Sequence, residues 1–327
     1  MPMAALRLPR RTCVLSSSPR LALDIFQARL ARGALAGVFS FVSLVWYASV
    51  GLGVVMGTNF FCLRYNSLMY IDSHCHINFP ELAARMPEIL AKMAENKVTH
   101  ALCVSVDLPD FPQVLALAEQ YPHIFASVGV HPDYEETPEP SVEDLVLLSD
   151  HPKIIAIGET GLDYFRLTGD LEWQRERFRT HIKASRITRK PLIIHTRAAS
   201  EDTIRIMREE GAGVADGGVA GVMHCFTESL EVARAAIAMG FYISFSGIVT
   251  FKSAKDLQAV ALEVPLERIL IETDSPYLAP VPFRGRMNEP GYVAHVAEYL
   301  SSLKGIPLAQ VAEQTTSNFF KLFNQVA

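Results

Sequence analysis

The chain has 327 residues, 50% of them hydrophobic and 20% charged, with a formal net charge of −5. That composition excludes a disordered polymer and suffices for one large domain. The charge is unevenly placed: residues 1–68 carry seven arginines, no lysine and a single acid, Asp24, so the remaining 259 residues hold a net charge of −11. An acidic body excludes nucleic-acid binding through a broad basic face and requires local positive charge for any anionic substrate.

In chain order, residues 33–63 come first, a stretch without a charged residue. It is long enough to span a bilayer and is preceded by arginines, as in a signal anchor. A lysine-free, arginine-bearing leader also reads as sequence upstream of the native start, because Met69 stands directly before the first expected strand. The expectation is that 1–68 is an extension outside the enzyme and that 69–327 is one cytoplasmic domain; a genuine anchor at 33–63 would place it at a membrane. The five cysteines are scattered and form no C-x-x-C pair, which fits free thiols in a reducing compartment.

Eight short apolar runs follow, at 69–72, 101–106, 125–130, 154–158, 192–194, 221–223, 241–245 and 269–271. Each reads as a buried parallel strand. Segments with helical spacing lie between them: 82–95, 173–187 and 230–238. The acidic, proline-bearing stretch 133–140 reads as a rim loop. Alternation of strand and helix predicts crossover units, and eight of them in about 250 residues predict a closed (β/α)₈ TIM barrel.

Metal-type residues fall at the ends of these strands. His74 and His76 follow the first run, Glu159 the fourth, His195 the fifth and His224 the sixth, while Asp274 lies just past the eighth. Barrel strands converge with their C-terminal ends on one mouth, so six residues far apart in sequence are expected around one small volume. Residues two apart on an extended chain share a face, which lets His74 and His76 grip one ion with Cys75 turned away. Six donors exceed the need of one tetrahedral ion and match two ions bridged by a carboxylate, with Glu159 the natural bridge. Imidazole and carboxylate suit zinc, manganese, iron or nickel; magnesium, which prefers oxygen, fits four histidines less well. His100, His123, His151, His181 and His295 have no such placement.

The motifs IDSHCH (71–76), GVHP (129–132), GETGLDY (158–164), PLIIHTR (191–197), MHCF (223–226), YISFSGIVTFK (242–252) and ETDSPYLAPVPFRGRMNEP (272–290) resemble those of the TatD-family metal-dependent deoxyribonucleases of the amidohydrolase superfamily. The resemblance runs from Met69 to about Phe323. It implies His74, His76, Glu159 and Asp274 around one metal and Glu159, His195 and His224 around the other. It also implies hydrolysis of nucleic-acid phosphodiesters by a metal-activated water, as a 3′ to 5′ exonuclease. The leader before Met69 departs from the family pattern.

Asp274 is the expected general base, and Glu159 a ligand essential to catalysis. Arg197, Arg284 and Arg286 are expected to hold phosphate oxygens, His131 to orient a phosphate or leaving group, and Tyr164, Phe165 and Tyr277 to offer faces for a base. The expected partner is a single-stranded DNA or RNA end, with no obligate protein partner. The same site permits an enzymatic alternative, ester or amide hydrolysis such as removal of a D-amino acid from tRNA. A non-catalytic binding protein is the reading from another class, and the intact donor set argues against it.

Overall fold

The computed structural model describes residues 68–324. The expected extension and its apolar run at 33–63 lie outside the described residues, apart from Leu68. Among the described residues no helix is long and apolar enough to cross a membrane. Eight strands, β1 (Tyr70–Cys75), β2 (Val98–Cys103), β3 (Ile124–Val128), β4 (Ile154–Asp163), β5 (Leu192–Arg197), β6 (Gly221–Met223), β7 (Tyr242–Phe245) and β8 (Ile269–Ile271), pair in sequence order, every neighbour parallel. The ends of the sheet meet at the mouth. Cys75 bridges Ser275, the amide of His76 donates to Ser275 O (2.8 Å) and that of Asp274 to His74 O (2.9 Å). The (β/α)₈ barrel read from the sequence is the observed fold.

Helices α1 (Pro80–Ala83), α2 (Met86–Glu95), α3 (Phe111–Gln120), α4 (Val142–Ser149), α5 (Glu172–Thr188), α6 (Ser200–Glu209), α7 (Leu230–Ala238), α8 (Lys255–Glu263), α9 (Val293–Lys304) and α10 (Leu308–Leu322) surround the strands. The helix expected over 82–95 is two helices. Pro87, at the start of α2, has no amide to continue the ladder of α1 and is tolerated only in a first turn.

Every strand contributes at least one residue (Ile71, Leu102, Phe125, Ile155, Ile193, Val222, Tyr242 and Leu270 among them) to a single buried cluster together with Phe319, Leu322 and Phe323. Only inward-facing side chains from all eight strands can meet in this way, so the cluster is the barrel interior, plugged at its base by α10. A second, larger cluster joins the outer strand faces to the helices. Towards the mouth the interior turns polar: Ser73 Oγ lies 3.2 Å from Ser244 Oγ and donates to Ile271 O.

Several strands run further towards the mouth than their apolar runs. β4 extends to Asp163 and β5 to Arg197, paired Thr160 with Ile194, Gly161 with His195 and Asp163 with Arg197. Glu159 and His195 therefore sit within hydrogen-bonded strands and not after them, and His74 lies inside β1. Gly161 is required here. Its φ is +132°, and a Cβ would lie 2.0 Å from the carbonyl oxygen of His195.

Candidate metal centre

Glu159 is the centre of the mouth. Its side chain is buried, and its two oxygens address different imidazoles. Oε2 lies 3.3 Å from His74 Nε2 and 3.9 Å from His76 Nε2. Oε1 lies 2.9 Å from His224 Nε2 and 3.3 Å from both His195 Nδ1 and His131 Nε2. Asp274 Oδ1 joins the first set, 3.4 Å from His76 Nε2 and 3.7 Å from His74 Nε2. All six sequence-predicted ligands thus converge. His131, expected to orient substrate, turns a nitrogen to Glu159 beside His195 and belongs geometrically to the donor cluster.

These contacts have the form of donors around cations. His74 Nε2 and His76 Nε2 are 3.2 Å apart, the spacing of two nitrogens about 2.0–2.1 Å from one small ion. His224 Nε2 has no hydrogen-bond partner although it points at Glu159 Oε1, as expected for a lone pair facing a carboxylate across a cation. The rings His74, His76 and His131, His195 fall with Glu159 into two groups able to hold an ion. Converging lone pairs from imidazole and carboxylate fit a divalent transition metal.

The electrostatics agree. Burial pushes the Glu159 carboxyl up, but His224, His131 and His74 outweigh it and hold the group well below the usual carboxylate range. Burial likewise raises Asp274, and the bond to His76 with the charges of His224 and His74 brings it below its ordinary value. His131 is lowered by burial and raised more by Glu159 and Asp133, ending at about 9.

Outer partners orient the rings. His76 Nδ1 donates to Val104 O (3.0 Å), His131 Nδ1 to Asp133, and His195 Nε2 to Asp163 Oδ2 (3.1 Å). Asp163 Oδ1 also accepts the amides of Phe165 and Arg166. Asp133, Asp163 and Glu272 were not picked out by the sequence reading. A usable signal exists for one of them: Asp163 is four residues from Glu159 on the same strand, so parity puts the two on one face.

A cleft of about 520 Å³ opens over these groups, lined among others by Phe79, Arg166, Arg197, Cys225 and Tyr277. The Arg197 guanidinium lies 3.9 Å from the centre of the exposed Phe165 ring. Arg166, absent from the expected set, pairs with Asp133 Oδ2 at 2.6 Å. Arg284 and Arg286 are exposed and do not line the cleft; Arg284 stacks 4.5 Å over Phe251. The hydroxyl of Tyr164 donates to Asp202 and accepts from Arg175, which ties it to a surface network. Tyr277 and Phe165 remain exposed.

A (β/α)₈ barrel that gathers imidazoles around a shared carboxylate at its C-terminal mouth defines the class of metal-dependent hydrolases. A family model described as "TatD related DNase" matches residues 71–324. The chain is 45% identical over 260 residues to the "Uncharacterized metal-dependent hydrolase YcfH" of Escherichia coli K12, covering 79% of this chain and 96% of the relative. It is 41% identical over 256 residues to YabD of Bacillus subtilis 168, covering 78% and 99%. The crystal structure of YjjV, a TatD homolog from Escherichia coli K12, matches with a TM-score of 0.72 at 30% identity, over 78% of this chain and 98% of that one. This chain belongs to the TatD family.

Proposed function

We propose that the cleft holds two divalent ions and hydrolyses phosphodiester bonds at the 3′ ends of nucleic acid. The carrying observation is the division of Glu159: one oxygen faces His74 and His76, the other His131, His195 and His224. A single ion would leave one of these sets without a role; a carboxylate between two ions serves both. Ions bound there supply Lewis acidity, which makes water nucleophilic near neutral pH and screens a phosphodiester.

The protein's own groups supply the rest. Asp274 is the carboxylate open to the cleft, with its side chain 16% exposed against 3% for Glu159, so it takes the proton of the attacking water. Arg197 forms no ion pair among the described residues, and its stacking on Phe165 leaves the planar fork free for two phosphate oxygens. Tyr277 and Phe165 offer faces for the terminal bases. In an acidic body these local cations, with the ions, hold the polyanion. The family description as a DNase supports the same substrate class.

The test is a metal-reconstituted assay with zinc, manganese, nickel and magnesium on 5′-labelled single-stranded DNA, RNA and charged tRNA. Progressive shortening from the 3′ end is expected. Release of amino acid from tRNA with intact oligonucleotides would replace this reading by ester hydrolysis.

A further inference from the structure

The five imidazoles of the mouth differ in what their outer nitrogens meet. A neutral imidazole has one lone pair and one N–H, so a ring that turns its lone pair to an ion carries its proton on the far nitrogen. For His76, His131 and His195 that nitrogen has an acceptor: Val104 O, Asp133 and Asp163. His74 and His224 turn Nε2 inward, and their Nδ1 atoms are buried without a hydrogen-bond partner.

A buried acceptor stands beside them. Glu272 is fully buried. Its Oε1 takes the backbone N–H of Cys225 and lies 3.4 Å from His224 Nδ1, and its Oε2 has no partner. One nitrogen from each of the two rings and one Glu272 oxygen lie within 4.8 Å of one another, and the rings are stacked with centroids 3.8 Å apart and planes 12° off parallel. The trio has the residue types of a further cation site, but proton count argues otherwise: with both lone pairs committed to the cleft, the remaining ring nitrogens are donors. Unpaired donors and an unpaired acceptor in one buried volume are complementary.

We infer that Glu272 is a positioning residue shared by the two halves of the metal centre. Its carboxylate accepts the Nδ1–H of His224 and of His74, fixes both tautomers and aims both lone pairs at the ions. His74 faces Glu159 Oε2 and His224 faces Glu159 Oε1, so one side chain orients a ligand in each set. This rests on the two-ion reading above.

Glu272→Gln is the test. The amide keeps the shape but has only one acceptor oxygen and brings two donors, so it cannot serve two N–H groups. Zinc affinity and stoichiometry, read by competition with a chromophoric chelator, should show each ion held 10–100-fold more weakly. The Co²⁺ d–d spectrum should change, and the melting temperature of the metal-free protein should not fall. Glu272→Asp, which retains a carboxylate, should recover affinity relative to the amide. Wild-type affinity for both ions in Glu272→Gln, or a lowered metal-free melting temperature with unchanged affinity, would overturn the assignment. A second readout needs no variant: ¹⁵N spectra of the zinc-loaded wild type should show His74 and His224 protonated at Nδ1, and an unprotonated Nδ1 in both overturns it. Binding of fewer than two ions by the wild type would instead remove the two-ion reading.

Discussion

Glu159 and Asp274 are both carboxylates of the mouth, and their surroundings separate their roles. Glu159 is enclosed by imidazoles on both oxygens. Asp274 stands at the cleft wall with φ of 57°, a left-handed conformation that Asp tolerates better than most residues and that the bond from its amide to His74 O holds in place. Glu159→Gln should lose metal along with activity, because a neutral amide leaves two neighbouring cations unscreened. Asp274→Asn should keep most of its metal and still lose about 10²–10⁴-fold in single-turnover rate, the range for removal of a general base. Elemental analysis beside the rate decides the matter; near-normal turnover in Asp274→Asn would show that no protein base is needed. The arginines separate by position. Arg197→Ala should raise KM for an oligonucleotide about tenfold or more, the loss of a charged hydrogen bond. Arg284→Ala, stacked on Phe251 away from the cleft, should leave KM little changed. Steady-state kinetics on both variants, with metal content measured, would reverse the assignment if the effects were exchanged.

Among the elements, α5 places the His131 side of the mouth. The amide of Val130 donates to His181 Nε2 (3.0 Å), and His181 Nδ1 donates to Arg177 O (2.8 Å). Arg177 donates to His131 O and grips Glu139 of the rim loop through two nitrogens. One helix thus fixes the backbone on both sides of His131. Burial pushes the His181 imidazole down to about 4, so the folded protein keeps it neutral where the unfolded chain, near its ordinary value of 6.5, takes up a proton. The sign follows: stability from this residue is complete above pH 6.5 and falls as pH drops towards 4, by roughly 3 kcal/mol in all. Metal-free protein should show this in the melting temperature between pH 7 and 4. His181→Gln, which can accept and donate in the same places without titrating, should have a shallower profile; identical profiles would assign the pH response elsewhere.

At the scale of the whole molecule, a metal bound at the mouth would couple to the fold. The candidate ligands come from β1 and the residue after it, β4, β5, the turn after β6 and the turn after β8, so an ion held by them would join segments across the barrel and its seam. An ion bound only by the folded state at 100 times its Kd adds about 2.7 kcal/mol, or roughly 5–10 °C for a domain of this size. Chelation should lower the melting temperature by that order, and zinc should restore it; a melting temperature indifferent to metal would mean that the mouth binds none. The barrel core is complete within the described residues, and Thr316 of α10 donates to the Met69 carbonyl at its base. A chain beginning at Met69 should therefore fold and bind metal as fully as the longer one. Light scattering and metal content of the two proteins compare them directly; insolubility of the shorter chain alone would show that residues 1–68 are needed.

Hydrophobic runs of strand length determined the barrel from the sequence alone, and metal-type residues at or just past the ends of five of them determined which side chains converge on the mouth, because barrel strands share one mouth and parity within a strand is local. The limits of the strands were not legible. Residues 159–163 and 195–197 are mostly polar or glycine, Leu162 excepted, and the pairing of Gly161 with His195, Leu162 with Thr196 and Asp163 with Arg197 keeps them in the sheet. The same holds for Arg166, Asp133 and Glu272. Charged residues near a rim look alike in sequence, and which of them meets a ring nitrogen depends on the stagger of neighbouring strands. Tertiary structure alone decided that Arg197 lies over the cleft and Arg284 outside it, and that the outer nitrogens of His131 and His195 rest on carboxylates, because these are distances between elements and no periodicity along the chain encodes them.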